Sequence, residues 1–182
     1  MLDSVLPTIQ PSGGDILEIG FGNGENMIRL AEENPDKIII GAEPYINGVA
    51  SLLSRITEQS GRILPQYENI RIYPGDVREL LSGITFQISK IYILHPDPWP
   101  KARHEKRRLL SKEFLNAIAA RLKPDGEIII GTDHTDYYDW IKLQVENTKL
   151  KIKSSKTDTI ETKYQRKNMF GSAATMYLVL TN

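Results

Sequence analysis

"DILEIGFGNGEN", residues 15–26, reads as a strand, a glycine turn and the start of a helix. Ile16, Leu17 and Ile19 make a run apolar enough for a strand buried on both faces. Glycines at 20, 22 and 24 let the backbone turn sharply and approach a ligand closely. Outward from this stretch the same unit recurs. "KIIIGAE" (37–43), "NIRIY" (69–73), "ISKIYIL" (88–94) and "GEIIIGT" (126–132) are short β-branched runs separated by segments of helical spacing. The clearest helix is "LLSKEFLNAIAARLK" (109–123), apolar at Leu110, Phe114, Leu115, Ile118, Ala119 and Leu122, and "KPDG" is its stop signal. Strand and helix alternate five times, which predicts an α/β fold with a mainly parallel sheet and helices on both faces. "ATMYLVL" (174–180) is a last strand, expected to return antiparallel because a polar stretch from 153 to 168 leads into it.

A chain of 182 residues is long enough for one well-buried domain and short for two, so a single domain is expected, with residues 1–14 as a short N-terminal arm and 15–182 as the core. Hydrophobic residues at 40% and charged residues at 25% are ordinary globular usage. No apolar run approaches the roughly 18 residues of a membrane helix, and "MLDSVLPTIQ" lacks the pattern of a signal peptide, so the cytosol is the expected compartment. The absence of cysteine excludes disulfides, thiol catalysis and thiolate metal sites. With only His95, His104 and His134 as imidazoles, no catalytic metal is expected. Basic and acidic residues balance at 23 each, so any nucleic-acid contact must rest on a local patch.

In an open parallel sheet, ligands bind beyond the carboxyl ends of the strands. The residues closing the strands are Glu18 to Gly24, Glu43, Gly75 and Asp76, His95 to Trp99, and Thr132 to Asp136. A cleft lined by so many acids is a poor phosphate site. The dinucleotide fingerprint G-x-G-x-x-G needs glycine at 25, where this chain has Glu25, whose charge would repel pyrophosphate at a helix N-terminus. S-adenosylmethionine suits the acids better, having no phosphate, a cationic amine and sulfonium, and a ribose whose hydroxyls can bond a carboxylate. Glu43 stands in the right region for the ribose, and Glu18 either supports the turn or faces the cationic end of the ligand. Asp76 either accepts from the adenine amino group or caps the following helix.

"HPDPWPKARHEKRR" (95–108) follows the fourth strand. Pro96, Pro98 and Pro100 each restrict the backbone, so Asp97 and Trp99 sit on a stiff turn. Lys101, Arg103, Lys106, Arg107 and Arg108 then face a single acid, Glu105. Read as the start of the next helix, these bases oppose its macrodipole unless an anion such as a phosphate backbone compensates, although a solvated helix start is the plainer reading.

"DILEIGFGNGE", "PDPWPKARHEKRR", "GTDHTDYYDW" and "TKYQ", in this order and spacing, resemble the motifs of the TrmB-type tRNA (guanine-N7)-methyltransferases, from about residue 14 onward. The resemblance implies a class I, Rossmann-like methyltransferase fold that uses S-adenosylmethionine to form 7-methylguanosine in the tRNA variable loop, at the position conventionally called 46. It implies that Glu18, Glu43, Asp76 and Asp97 are cofactor-site acids beside Gly20, Gly22 and Gly24, with Asp97 the catalytic candidate. Lys101, Asp133 and the stretch Thr162, Lys163, Tyr164 and Gln165 are the implied substrate contacts. Arg103, His104, Lys106, Arg107 and Arg108 are the implied tRNA-contacting run.

The chemistry needs no more than these residues. Guanine N7 has an in-plane lone pair and no proton, so attack on a sulfonium methyl requires alignment and no obligatory base. Asp133 can accept from guanine N–H groups or cap the helix of "HTDYYDW", but hardly both. Trp99 can stack on a base or anchor its own turn. The chain departs from the family in carrying Gln165 where a glutamate is usual, and about 14 residues where a longer N-terminal arm is common. The expectation is therefore that tRNA affinity leans on Lys101 to Arg108. A methyltransferase for another substrate, a non-catalytic RNA-binding protein of the same fold and, last, an NAD-dependent dehydrogenase are the alternatives. A monomer and a homodimer are equally compatible with the sequence.

Overall fold

A computed structural model describes residues 15–154 and 175–182. The chain divides after Ile91 into two compact units, and strand β4 (Ile88–Leu94) contributes to both.

In the first unit, β1 (Ile16–Ile19) pairs in parallel with β2 (Ile39–Ala42), Ile16 opposite Ile39 and Ile19 opposite Ala42. Strand β2 pairs in parallel with β3 (Ile70–Tyr73). All four residues of β1 and of β2 are buried, as the continuous apolar runs require of strands covered on both faces. The edge strand β3 alternates instead, with Ile70 and Ile72 buried and Arg71 and Tyr73 half-buried. Helices α1 (Glu25–Glu33), α2 (Ile46–Ile56) and α3 (Val77–Gly83) lie between the strands in sequence. Each buries one stripe, Met27, Leu30 and Ala31 in α1, and Val49, Leu52 and Ile56 in α2. Burying each of these side chains other than Ala31 contributes about 1.5–3 kcal/mol. The strand order is β3-β2-β1-β4, so the direction of winding reverses between β1 and β4, which is where open sheets of this kind bind ligands.

The second unit runs from the end of β4 through α4 (Lys112–Ala119), β5 (Leu122–Thr132), α5 (Thr135–Glu146) and β6 (Lys151–Ser154) to β7 (Met176–Thr181), with strand order β4-β5-β7-β6. The last strand does return antiparallel, pairing Ile128 with Leu180 and Thr132 with Met176. It buries Tyr177 on one face and Leu178 and Leu180 on the other. The sheet is thus mixed and mostly parallel, as the alternation of strands and helices predicts.

Three expectations change. The helix expected over 109–123 is shorter at both ends, because the Ser111 side chain accepts from the Phe114 N–H and starts it at Lys112, and because Leu122 already belongs to β5. "KPDG" therefore lies inside a strand. Residues 102–107, which carry most of the basic run, form a separate 3₁₀ turn, Ala102–Arg107, with His104, Lys106 and Arg107 in its last turn. The macrodipole argument loses its premise there, since cations at the end of a helical turn are favourably placed. Strand β6 was not expected from "KIKS", which has one apolar residue; it is an edge strand whose first three residues are exposed. Among the described residues no helix is long and apolar enough to cross a membrane.

Candidate functional site

Within the first unit the turn after β1 is built on three left-handed glycines, φ 71° at Gly20, 53° at Gly22 and 77° at Gly24. A side chain at Gly20 or Gly22 would meet nothing within 4 Å, so the turn opens onto free space. At Gly24 the opposite holds: a Cβ would stand 2.6 Å from Leu52 Cδ1, so a side chain there is excluded by packing as well as by φ. The Gly24 N–H donates to the Phe21 carbonyl at 2.9 Å and closes the turn. Gly24 has no side chain to cap α1, while Asn23 Oδ1 accepts from the Glu25 N–H at 3.3 Å.

Two buried carboxylates flank this turn. Glu43, 4% exposed at the end of β2, accepts from the Gly22 N–H at 2.8 Å through Oε2 and from the Tyr45 N–H at 2.9 Å through Oε1. Each oxygen keeps a second lone pair for a ligand hydroxyl. Gly48 packs beneath, where a Cβ would lie 2.6 Å from the Gly22 carbonyl oxygen. Glu18, 3% exposed, has its Oε2 buried with no hydrogen-bond donor among the described residues. Burial pushes its pKa up to about 8; neighbouring Asn26 and Arg29 pull it down, and Glu43 adds to the rise. Asn26 Oδ1 in turn accepts from Arg29 Nη2 at 2.7 Å. Tyr45 and Ile46, directly after Glu43 and Pro44, are 72% and 64% exposed, an apolar pair that residue spacing alone did not single out.

Asp76 resolves toward capping. Its Oδ1 accepts from the Arg78 N–H at 2.8 Å and its Oδ2 pairs with Arg78 Nη1 at 2.8 Å. The open glycine turn, the doubly anchored Glu43 and the orphaned Glu18 oxygen together fit a ligand with a ribose and a cationic amine. They suit S-adenosylmethionine, and Asp76 adds least to that fit.

In the second unit, β4 runs out into His95 and the three-proline turn. The His95 N–H donates to the Gly131 carbonyl at 2.7 Å, and His95 and Trp99 both take positive φ, 51° and 41°. Asp97 is exposed between them. Burial lowers the pKa of His95, against the opposing pull of Asp133, whose Oδ1 is 4.0 Å from His95 Nδ1. Asp133 is not the cap of α5: His134 Nδ1 accepts from the Tyr137 N–H instead. The choice left open between capping and substrate contact thus falls away on the capping side, and the partly exposed Asp133 carboxylate keeps its lone pairs for other donors.

The basic run divides. Lys101, Arg103 and Lys106 are exposed, and their side chains make no hydrogen bond or ion pair among the described residues. Arg107 lies over the Trp99 ring at 5.0 Å, and His104 meets that ring edge-on at 5.7 Å, so Trp99 is the anchor of its own turn. Arg108 is half-buried: Nε donates to the Pro98 carbonyl at 2.9 Å, and the guanidinium lies 5.3 Å from the Tyr137 ring and 5.0 Å from that of Trp140. Glu105 accepts from Trp140 Nε1 at 2.7 Å. Sequence reasoning missed Asn26, Tyr137 and Trp140, which pattern alone makes ordinary helix residues. Thr162, Lys163, Tyr164 and Gln165 lie outside the described residues.

Comparison with known proteins adds to this geometry. Residues 13–173 match a family described as "Putative methyltransferase". The chain is 46% identical over 130 residues to a tRNA (guanine-N(7)-)-methyltransferase of Ruegeria sp. (strain TM1040), covering 70% of this chain and 49% of that protein. It is 42% identical to one of Wolbachia pipientis wMel, covering 83% and 67% of the two chains. It is 34% identical to one of Caulobacter vibrioides (strain NA1000 / CB15N), covering 100% and 87%. The chain therefore spans about half the length of the first of these relatives and more of the others. Among solved structures, an rRNA methylase from Streptococcus thermophilus shares the fold at a TM-score of 0.62 and 13% identity, over 93% of this chain and 86% of that one.

Proposed function

The chain belongs to the family of the tRNA (guanine-N(7)-)-methyltransferases, and on that premise we propose that it transfers the methyl group of S-adenosylmethionine to N7 of a guanine in the tRNA variable loop. In this reading the protein works on tRNA in the cytosol. The observation that carries the reading is the sorting of the 95–108 segment, which presents Asp97, Lys101, Arg103 and Lys106 outward while Glu105, Arg107 and Arg108 are engaged with Trp140, the Trp99 ring and the Pro98 carbonyl.

S-adenosylmethionine, when bound, supplies an electrophilic methyl on a sulfonium. The residues that hold it are those of the open turn. Gly20 and Gly22 leave room for its backbone-close approach, and Glu43 offers its remaining lone pairs to the ribose hydroxyls. Tyr45 and Ile46 give the adenine an apolar surface. Glu18 meets the ammonium; alone it holds a proton near neutral pH, and a cation beside it favours the carboxylate.

Asp133 accepts from the N–H groups of guanine and so orients the base by the edge opposite N7. Guanine becomes cationic as the new bond forms, and the Asp97 carboxylate stabilises that charge. Lys101, Arg103 and Lys106 bind phosphates and orient the RNA without reading its sequence. Thr162 to Gln165 complete the substrate contacts in this reading.

Transfer of labelled methyl from S-adenosylmethionine to bulk unmodified tRNA, with nucleoside analysis of the product, tests the proposal. 7-Methylguanosine is expected. Absence of transfer by a protein that still binds S-adenosylmethionine overturns the assignment of tRNA as acceptor.

A further inference from the structure

The run Arg103 to Arg108 has the composition of a phosphate-binding strip, yet its last member faces the protein. We propose that Arg108 is a positioning residue that clamps the Pro96–Pro100 turn and thereby holds Asp97, and that it is not an RNA contact. The proposal deepens the function above, resting on Asp97 acting in methyl transfer.

Geometry carries it. The Pro98 carbonyl sits between Asp97 and Trp99, and Arg108 Nε donates to it at 2.9 Å. The guanidinium faces the rings of Tyr137 and Trp140 at 5.3 and 5.0 Å, within cation–π range of both. Tyr137 is fully buried, so the clamp is founded on the core of α5. A second tie runs in parallel, Trp140 Nε1 donating to Glu105 in the 3₁₀ turn at 2.7 Å. The segment is therefore pinned to α5 at Pro98 through Arg108 and at Glu105 through Trp140.

The turn needs such a clamp. Trp99 at φ 41° and His95 at φ 51° are bulky residues in left-handed backbone, which persists only where the surroundings over-determine it. Two prolines beside Asp97 remove backbone N–H donors that would otherwise anchor the loop. Arginine suits the task because its planar fork can donate in the plane while its faces lie on aromatic rings; a lysine ammonium is a point charge that cannot do both. The neighbouring Arg103 and Lys106 have none of these ties, so the two halves of the run have different duties.

Arg108→Gln, Arg108→Lys and the double variant Arg103→Glu, Lys106→Glu separate those duties in steady-state methyl transfer to tRNA. Displacing a reacting carboxylate by about 1 Å costs up to about a hundredfold in rate, so kcat should fall about ten- to a hundredfold in both Arg108 variants with KM for tRNA within about twofold. The double variant should raise KM for tRNA instead. A full kcat in Arg108→Lys shows that charge alone suffices and overturns the clamp, as does a raised KM with unchanged kcat in Arg108→Gln.

Fluorine NMR of 5-fluorotryptophan-labelled protein gives a readout independent of turnover, since the chain has two tryptophans, Trp99 and Trp140. Of the two indole rings it is that of Trp140 that the Arg108 guanidinium lies over among the described residues, so a shift of the Trp99 resonance in Arg108→Lys reports release of the turn. An unmoved Trp99 resonance overturns the proposal even if the wild-type protein methylates no tRNA, which would be the separate failure of the function. Should Arg108→Gln fail to fold, the Lys variant carries both readouts.

Discussion

Glu18→Gln should remove a specific pH dependence from the stability of this protein. The wild-type carboxyl is buried, and its pKa stands at about 8 against an ordinary 4.5. Between those two values the native state keeps a proton that the unfolded chain has shed. Stability is therefore fully present below pH 4.5, declines by ~1.4 kcal/mol per pH unit as pH rises, and levels off above pH 8. Over that window the loss amounts to ~4–5 kcal/mol as an upper figure, a large share of the 5–15 kcal/mol typical of a domain. Glutamine has the same shape, carries no titrating proton and keeps a donor beside Glu43. Urea unfolding followed by circular dichroism, from pH 4.5 to 9, gives the difference in stability between the two proteins at each pH. Every other titrating group, His95 included, cancels in that difference. The variant should match the wild type near pH 4.5 and exceed it progressively up to pH 8–9. A difference that stays constant across the range would refute the reasoning, because it would mean that Glu18 ionises in the fold at no cost.

The same carboxyl predicts that S-adenosylmethionine binding near pH 7 releases up to about one proton, measured as a dependence of the calorimetric enthalpy on the ionisation enthalpy of the buffer. Asp97→Ala should lower kcat by roughly a hundredfold or more while circular dichroism stays unchanged, and substantial residual turnover would remove Asp97 from the mechanism. Gly48→Ala places a methyl 2.6 Å from the Gly22 carbonyl oxygen. It should cost about 1–3 kcal/mol in urea unfolding and weaken cofactor binding by displacing the turn. Arg103→Glu with Lys106→Glu should flatten the plot of log affinity for tRNA against log salt by about one to two and leave S-adenosylmethionine affinity unchanged.

The glycine turn of the first unit and the place of Glu43 beside it were legible because their signals are local. Gly20, Gly22 and Gly24 mark left-handed backbone directly, and Glu43 closes a strand whose position the apolar run already gives. What the pattern could not supply was the state of each acid. Asp76 and Glu43 look alike in sequence, yet one has both oxygens engaged at Arg78 and the other bridges two backbone amides. Asp133 and His134 are adjacent, and which of them caps α5 depends on side-chain direction, which spacing does not encode. The basic run misled most, because its bases were assigned to the helix that follows, whereas Ser111 starts that helix four residues after the 3₁₀ turn ends at Arg107.

By itself the sequence determined the alternation of buried strands and amphipathic helices, the glycine turn and the family, since apolar period, glycine and motif spacing are properties of the chain read in order. Tertiary structure alone decided which charges are available for chemistry. Glu18 is driven toward its neutral form by burial, Arg108 is drawn inward by the Pro98 carbonyl and two rings, and Lys101, Arg103 and Lys106 are left outside. The reason is that desolvation and hydrogen-bond satisfaction depend on neighbours brought together from distant parts of the chain, and those neighbours set whether a charged side chain is spent on the fold or remains for a ligand.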